Sequence, residues 1–424
     1  MVRACMKSIT VFFLLLIGIN TVMAKTPERE ITLGTNVSSA YTAERNQLVR
    51  GGSIEHIECI FKDLQQPYQI TSMPWLRARQ EVRKGKLDGF FTAISIDDAD
   101  DYASLSAPLV LESWYWFWRA DMKAPTSWQD NYKLGAILGS QQAEWLEEAG
   151  YSEPMNANNL PQMLKMLFSK RIDVILADKE HFEKAAAELG IDASTYQYRF
   201  FRYAPLGVYF GKDFLMEHPG FLPRFNQHIY ACAPEGFQMS EYEREKVKNL
   251  VMPLMQQWAA LPEVITAVMA QNDNQQTFSR QSDSQQPSTQ QTILEKDALW
   301  QGEFKAGNFS LAASLMGIPL SQQLRQLKTR SQGLITEIIL MDARGANVAI
   351  SDMTSDYWQG DEAKFLLSFN KSPEALFFEP VGYDESTRRF QVHVSLPIYA
   401  PDIETSIGVL TVGVDIEKAL SLQQ

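Results

Sequence analysis

Two six-residue stretches, KLDGFF at 86–91 and RIDVIL at 171–176, decide the fold class of this sequence. Each has a basic residue, an apolar residue, an aspartate and an apolar run, and each follows a stretch with apolar residues at helical spacing. A helix followed by a short apolar run is typical of a strand in a parallel sheet. The stretches begin 85 residues apart, at positions 86 and 171, which is about the size of one α/β lobe. The repeat predicts two similar lobes, the usual arrangement for trapping a small molecule by hinge closure.

The surrounding pattern predicts the order βαβαβ for the first lobe, with parallel strands. The second lobe is expected to begin with the strand KLGAIL at 133–138, and Gly139-Ser140 opens its first helix. An apolar strand near 203–210 is expected to return toward the first lobe. The other elements predicted for the first lobe are strands at 31–35 and 68–71 and helices at 53–64 and 75–82.

The first 24 residues have the features of a secretory signal. Arg3 and Lys7 precede an apolar run at 9–19, and a small-residue cleavage site ends at Ala24. The run is too short to span a membrane. We therefore expect an exported, periplasmic protein whose mature chain begins at Lys25.

Composition limits the number of domains, the kinds of partner and the state of the cysteines. A length of 424 residues with 45% hydrophobic content predicts two or three domains with full cores. The formal charge is −12, and it becomes −14 without the two basic residues of the signal, which argues against nucleic acid or anionic lipid as a partner. Cys59 and Cys232 are the cysteines of the mature chain. They form either a disulfide, as an oxidising compartment permits, or two buried thiols.

Motifs for catalysis, metals and cofactors are absent from the sequence. It has no GxSxG elbow, Walker loop or GxGxxG, and neither cysteine of the mature chain has an activating motif around it. The histidines lack the spacing of a zinc site. We expect no catalytic residue, no metal and no cofactor. The histidines are His56, His181, His218, His228 and His393.

A different pattern begins at Ser240. Apolar residues from Val247 to Leu261 fall on one face of a helical stretch that is expected to reach about Gln271, with Pro253 and Pro262 each marking a kink or a restart. This face either covers the protein's own sheet or supports a homodimer.

Residues 272–291 are rich in Gln, Ser and Asn and predict a flexible loop. Alternating strands follow and predict an antiparallel sheet with one covered face. The strands are expected at 335–342, 347–352, 389–399 and 407–416.

Five motifs in order give the first module a family resemblance. Over 31–238 the sequence resembles the type 2 periplasmic solute-binding proteins of the polar amino-acid group. The resemblance implies a two-lobed α/β fold and a ligand-binding role for a domain at 25–239, after the signal at 1–24. The motifs are PWLRA (74–78), GKLDGFF (85–91), SAPL (106–109), LGSQ (138–141) and IDVILAD (172–178).

The second module, 240–424, resembles an extracytoplasmic Cache (PAS-like) sensor domain. The resemblance implies an α+β fold with a long N-terminal helix and an antiparallel sheet. Cache domains usually face the outside of a membrane signalling protein. Because no membrane span or output domain is recognised after this module, we expect the chain to detect a ligand and to depend on a separate membrane protein for transmission. The motifs are LPEVITAVMAQN (261–272), EIILMDARGANVAISD (337–352) and SDYWQGDEAKF (355–365).

The resemblance of the first module implies a set of ligand contacts. In the amino-acid binders, an Arg before the first crossover and amides at a helix start hold the carboxylate, and an Asp takes the ammonium. Ser140 and Gln141, after Gly139, match the helix start, where free N–H groups and the helix dipole favour an anion. Asp178 matches the ammonium position. The alternative is that Asp178 caps the helix beginning near Lys179.

The matching Arg is missing, because its position falls near Ala99 in an acidic run of four aspartates. A carboxylate facing this run is repelled, so the ligand is expected to differ from a standard α-amino acid. Asp98 with Trp75 and Trp114 suits a cation such as a polyamine. The alternative is a solvated acidic loop beside core tryptophans. The aspartates are Asp97, Asp98, Asp100 and Asp101.

Three further residues complete the candidate cleft. Arg77, at a helix start, either replaces the missing Arg or lies on the solvent face. Tyr41, after the first strand, is a candidate aromatic wall, and Thr92 follows KLDGFF at the end of its strand.

The second module has its own cluster, in the loop where PAS-like domains place their ligand. Aromatic residues with interspersed carboxylates suit a small polar or amine ligand. Alternatively, the aromatic pair fills the core and the acids cap a helix at 362–367. The candidates are Asp352, Asp356, Tyr357, Trp358 and Asp361.

These features together predict an exported receptor for a small polar solute: an amino acid, an amine or a polyamine. Its expected partner is a membrane sensor, such as a histidine kinase or a cyclic-dinucleotide enzyme. The alternative is the solute-binding component of an ABC-type amino-acid or amine transporter, which delivers solute to a permease. An enzyme is not expected, because the strand-rich second half does not suit the helical domain of a lytic transglycosylase.

Overall fold

The computed structural model describes residues 29–36, 44–45, 48–49, 52–96, 98–125, 132–151, 154–281, 289–384, 389–401 and 403–422. The predicted signal at 1–24, with Lys25, lies outside the described residues. So do Tyr41 and Asp97.

The first lobe contains three parallel strands in the order β4-β1-β5. This is the predicted βαβαβ unit, with a pair of two-residue strands inserted after its first strand. Its elements are β1 (Ile31–Thr35), β2 (Glu44–Arg45), β3 (Leu48–Val49), α1 (Gly52–Asp63), β4 (Tyr68–Ser72), α2 (Trp75–Arg83), β5 (Gly89–Ala93) and β6 (Ala103–Leu105).

The second lobe repeats this order, with parallel strands β9-β8-β10 and β7 antiparallel to β10. The predicted return strand is β11, which at 16 residues is longer than expected and runs through both lobes. The elements are β7 (Val110–Arg119), β8 (Leu134–Ile137), α3 (Gln141–Glu148), β9 (Met155–Ala157), α4 (Leu160–Phe168), β10 (Val174–Asp178), α5 (Lys179–Glu188) and β11 (Tyr196–Gly211). Helices α6 (Lys212–Glu217) and α7 (Phe221–Cys232) return to the first lobe.

The repeated aspartate has the same structural role in both lobes. The Asp88 carboxylate accepts from the N–H of Thr32 at 2.8 Å, and the Asp173 carboxylate accepts from the N–H of Lys133 at 3.0 Å. The N–H of Asp88 donates to the carbonyl of Thr32, and the N–H of Asp173 donates to the carbonyl of Lys133, each at 2.9 Å. The aspartate therefore fixes the start of the third strand to the start of the first, which explains why the motif occurs twice.

A disulfide joins Cys59 of α1 to Cys232 of α7, with a Cα–Cα distance of 6.0 Å. The structure therefore has the disulfide and not two separate buried thiols. The disulfide connects two parts of the first lobe that are 173 residues apart in sequence.

The C-terminal half combines a series of helices with an antiparallel sheet. The sheet order is β13-β12-β17-β16-β14, and β15 also pairs with β16. The predicted strands are present, and two short strands join them. The elements are α8 (Glu241–Ala259), α9 (Pro262–Gln281), α10 (Thr289–Lys305), α11 (Ser310–Gly317), α12 (Pro319–Arg330), β12 (Ile335–Asp342), β13 (Asn347–Ile350), α13 (Ala363–Leu366), β14 (Phe377–Phe378), β15 (Gly382–Asp384), β16 (Arg389–Ile398), β17 (Gly408–Asp415) and α14 (Ile416–Ser421).

The prediction of a loop at 272–291 is wrong for its described part. Helix α9 continues to Gln281, and α10 begins at Thr289. Gln is a good helix former, and the buried Val264 and Val268 anchor the start of α9. Pro253 lies inside α8, whereas α9 restarts at Pro262.

One continuous apolar core joins the second lobe to the C-terminal half. It includes Phe117 and Leu164 from the lobe, Val251 from α8, and Val394 and Leu410 from the C-terminal sheet. The predicted apolar face of α8 is therefore buried against the protein's own sheet. Among the described residues, no helix is long and apolar enough to cross a membrane.

Candidate functional site at the interlobe boundary

Strands β7 and β11 form the connection between the lobes. β11 pairs with β7 from Tyr196 to Leu206 and with β5 from Gly207 to Phe210. Its register shifts near Phe201, between Phe200 and Arg202, and again after Gly207. Such irregularities bend a strand locally. They lie where a hinge between the lobes is required.

On one side of this hinge, which we call the latched side, α2 and α3 hold the lobes together. Gln141, at the start of α3, donates from Nε2 to the carbonyl of Thr92, and its Oε1 accepts from the N–H of Ile94 at 3.0 Å. Arg79 of α2 pairs with Glu144 of α3 at 2.8 Å and with Asp98. The bonds of Gln141 and the Arg79–Glu144 pair connect the two lobes directly.

Thr92 has an unusual backbone on the latched side. Its φ is +53°, in the left-handed region that β-branched residues rarely adopt. The residue is buried, and its Oγ1 has no hydrogen-bond partner among the described residues, as is also true of Trp75 Nε1. A buried polar atom is normally bonded, so these two atoms are exceptions on the latched side.

The opposite side of the hinge, which we call the cavity side, contains a cavity of about 570 Å³. This volume is within the range of small-ligand sites. Both lobes, the hinge strands and the start of α8 contribute to its lining. Its lining residues include His56, Leu109, Leu111, Ser113, Asp178, Lys179, Tyr203, Phe237, Met239 and Glu243.

Asp178 lies at the end of β10 and is almost completely buried. Its carboxylate caps α5 by accepting from the N–H of His181 at 3.0 Å, and it also accepts from the N–H of Ser113 at 3.0 Å. Asp178 therefore caps α5, as the alternative interpretation predicted, and it also lines the cavity. Burial raises the pKa of Asp178 to about 6. Burial also lowers the pKa of His181 to about 4, so this ring is uncharged at neutral pH and does not neutralise the aspartate.

Glu112 of β7 is a second buried carboxylate at the hinge. It accepts from Trp114 Nε1 at 2.9 Å and from Gln142 Nε2 at 3.3 Å. Burial, followed by the nearby charge of Asp178, raises the pKa of Glu112 to about 8. Neither Glu112 nor Asp178 forms an ion pair with a described Lys or Arg.

Glu243, in the first turn of α8, is a third buried carboxylate. It accepts from Tyr115 Oη at 3.1 Å and from the N–H of Ser240 at 2.9 Å, as part of a capping box. Tyr203 of β11 lies beside it, and burial together with the charge of Glu243 raises the Tyr203 pKa. The Glu243 carboxylate also lies within hydrogen-bonding reach of the Tyr203 hydroxyl, which contributes to this raised pKa.

The structure separates the candidates in the first module. Trp114 is completely buried in the core, as the core alternative predicted, so it is not a wall of the cavity. Arg77 is exposed on α2, whereas its neighbour Arg79 crosses to the second lobe. Asp98 forms an ion pair with Arg79, and Ser140 caps α3. Asp178 is the candidate that lines the cavity, while Gln141 and Thr92 meet on the latched side.

The candidates in the C-terminal half do not converge on one space. Asp352 pairs with Lys328, and Asp361 is exposed. Tyr357 fills the core, as the alternative predicted, and the Lys296 Nζ lies 3.9 Å from the centre of its ring. The remaining contacts are local: Trp358 Nε1 donates to the carbonyl of Arg344 at 2.7 Å, and Asp356 accepts from Gln359. The predicted helix is the short α13, and its N-cap residue, Glu362, makes no side-chain capping bond.

Four residues at the boundary were missed by sequence reasoning: Arg79, Glu112, Tyr203 and Glu243. Arg79 directly follows the motif that contains Arg77, and α2 must be placed against α3 before the two can be distinguished. Glu112 carried a detectable signal, because a single acid at the start of an aromatic strand is unusual in a core. Glu243 matched only the pattern of a capping box, and its role arises where α8 packs on the hinge.

Comparisons with known proteins give distant structural matches. No family model matches the sequence, and no curated protein matches it. Three solved structures illustrate the structural similarity, which is periplasmic-binding-protein-like over about half of this chain. They are a histidine kinase sensor domain with similarity to periplasmic binding proteins (14% identity, 49% of this chain and 92% of that one, TM-score 0.43), the arginine-, lysine-, histidine-binding protein ArtJ from Geobacillus stearothermophilus (10%, 49% and 90%, 0.41) and the GluR0 ligand-binding core from Nostoc punctiforme in complex with L-glutamate (13%, 48% and 93%, 0.41).

Proposed function

We propose that this protein is an exported receptor that binds a small polar solute between its two lobes. The observation that carries the proposal is the cavity of about 570 Å³ at the hinge, which both lobes line. The buried polar side chains of Asp178, Tyr203 and Glu243 line this cavity and can contact a solute inside it. The solute class follows the sequence expectation of an amino acid, an amine or a polyamine, and the location is the periplasm.

The C-terminal half is proposed to be a Cache-like sensor domain, beginning at Ser240. In chain order its strands are β12, β13, β14, β16 and β17, and the sheet order 2-1-5-4-3 supports a PAS-like arrangement. Ligand binding by its loop residues is not part of the proposal, because Tyr357 is in the core and Asp352 is ion-paired.

The partner is proposed to be a membrane sensor that recognises the solute-bound form. The C-terminal half is attached directly to the hinge, which supports signalling over transport. Glu417 of α14 accepts from the N–H of Tyr203 at 2.7 Å, and the rings of Tyr203 and Phe390 lie 5.6 Å apart. A change in β11 on lobe closure therefore reaches the C-terminal sheet.

Thermal-shift screening of the mature chain against amino acids, polyamines and small carboxylates tests the receptor. A solute at 100 times its Kd is expected to stabilise the folded state by about 2.7 kcal/mol. The absence of a shift with every compound would contradict the proposal. Deleting the gene in its host then separates the roles, because signalling predicts a changed transcriptional response to the solute with unchanged uptake, and transport predicts reduced uptake.

A further inference from the structure

A second cavity, of about 490 Å³, lies between the second lobe and the C-terminal half, and we call it the α14 groove. Strand β11 contributes Tyr198 and Arg199 to its lining, α8 contributes Tyr242 and Lys246, and the end of α14 contributes Leu422. The volume is within the range of small-ligand sites. Among the described residues, the groove and the cavity at the hinge have no lining residue in common. The groove is therefore a separate candidate site.

The groove presents apolar surface that is not buried in the core. Tyr242 is 42% exposed and Leu422 is 39% exposed. The rings of Tyr198 and Tyr242 pack edge to face with their centres 5.4 Å apart, and the Lys179 Nζ lies 5.0 and 5.3 Å from the two centres. These contacts hold the tyrosine rings in place. Exposed aromatic and aliphatic side chains in a concave surface are typical of ligand contacts.

Lys246 adds a positive charge to this apolar surface. Its Nζ donates to the carbonyl of Leu420 at 2.5 Å, and it forms no ion pair with a described Asp or Glu. Burial lowers the pKa of Lys246, because its ammonium group has lost part of its hydration. An ammonium group has three donors, and an opposite charge stabilises a partly desolvated cation. The position of Lys246 therefore favours an anion.

The other charged groups of the groove agree with this sign. Arg199 is a second cation in the lining; it donates to the carbonyl of Pro125 at 3.0 Å, and its guanidinium carbon lies 5.8 Å from the centre of the Trp118 ring. Glu245, a carboxylate of the lining, pairs with Lys248 at 3.0 Å. The described lining is therefore positive overall, in a chain whose formal charge is −12.

We propose that the α14 groove binds a small organic anion with an aromatic or other apolar body. Its acid group pairs with Lys246, and its body packs on Tyr242 and Leu422. Because β11, α8 and α14 all line the groove, such a ligand strengthens the contact between the second lobe and the C-terminal half. The inference does not depend on the receptor function proposed above, and it gives the chain a second ligand that acts on the same connection.

Ligand-observed NMR titration of the full mature chain with phenylacetate tests the inference. Phenylacetamide and phenethylamine carry the same ring and serve as the neutral and cationic counterparts. The unaltered protein is expected to bind phenylacetate about tenfold or more tighter than either counterpart. Equal or tighter binding of phenylacetamide or phenethylamine would overturn the anion class, and the absence of phenylacetate binding would overturn the site.

Two variants locate the binding. Lys246→Met keeps the apolar stem and removes the charge, and it is expected to raise the Kd for phenylacetate about tenfold or more. Lys305→Met, at an exposed lysine of α10, is the control and is expected to leave the Kd within about twofold.

Tyr242→Ala removes a partly exposed ring and is expected to weaken phenylacetate binding about three- to tenfold. It decides the question if Lys246→Met, which also loses a bond to Leu420, does not fold. Unchanged phenylacetate affinity in a folded variant of either kind would overturn the proposal. The thermal shifts with amino acids and polyamines should be the same in Tyr242→Ala as in the unaltered protein, so failure of this site is distinguished from failure of the receptor function.

Discussion

The latched side and the cavity side of the interlobe boundary differ in how their polar side chains are paired. On the latched side, Gln141 and Arg79 bond directly across the boundary to backbone and carboxylate groups. On the cavity side, Asp178 and Glu243 are buried beside open volume, and neither has a Lys or Arg partner among the described residues, although His181 lies 3.3 Å from Asp178. The difference shows that the protein closes one side with its own side chains and leaves open volume on the other.

Removing the disulfide is expected to have the largest effect, and on the cavity side. The bond connects α1, which carries His56, to α7. The double variant Cys59→Ala/Cys232→Ala is expected to lower the free energy of unfolding by about 2–5 kcal/mol, measured by urea denaturation. The unaltered protein with a reductant should behave like the variant. Equal stability of the oxidised protein and the variant would show that the cavity side does not depend on this anchor.

The pair Glu112 and Asp178 predicts a pH dependence of stability. Both pKa values in the folded protein, about 8 and about 6, lie above the ordinary values. The folded state therefore binds more protons than the unfolded state between about pH 4 and pH 8, and the free energy of unfolding falls as pH rises through this range.

Glu112→Gln keeps both hydrogen bonds of Glu112 and removes its charge. The variant is expected to flatten this fall by about 1–3 kcal/mol between pH 5 and pH 8, measured by chemical denaturation at several pH values. The exposed Glu188→Gln serves as the control. A pH profile that Glu112→Gln leaves unchanged would show that the hinge carboxylate does not titrate in this range.

Gln141→Ala is expected to open the latched side. The change removes two hydrogen bonds between the lobes and leaves the N–H of Ile94 without its acceptor. The closed form should lose about 1–2 kcal/mol, and the radius of gyration from small-angle X-ray scattering should increase. Gln80→Ala, on the exposed surface of α2, should leave the scattering unchanged. An identical radius in both variants would mean that Gln141 is not the latch.

The smallest effect is expected for Arg79. Its partners Asp98 and Glu144 are partly exposed, so Arg79→Ala should cost less than about 1 kcal/mol, and the loss should shrink at high salt. Arg77→Ala, two residues earlier, should have no measurable effect. Thermal denaturation at low and high salt compares the two, and equal behaviour would remove Arg79 from the latch.

The repeat in the sequence predicted the lobes because Asp88 and Asp173 act locally. Each bonds to the start of a neighbouring strand, and the motif carries that requirement in a few consecutive residues. The loop at 272–291 was predicted from composition alone, and the helix formed because buried residues at the start of α9 supported a polar extension. Local pattern therefore identified the strands better than the ends of the long helices.

The candidate site was less accessible from sequence. Asp178 was identified because it ends the IDVILAD motif, at the position that takes the ammonium in the family that the first module resembles. Glu243 lies 65 positions later, at the start of a helix in another module, and only the packing of α8 on β7 and β11 brings it to the hinge. Side chains contributed by distant segments leave no periodic signal.

Photo-cross-linking with a diazirine-bearing diamine, followed by peptide mass spectrometry, tests the central claim most directly. We expect labelling of peptides from the cavity side, at 178–183 and 236–243, and loss of that labelling with excess putrescine. Labelling confined to the latched side, at 92–96 and 138–142, would contradict it.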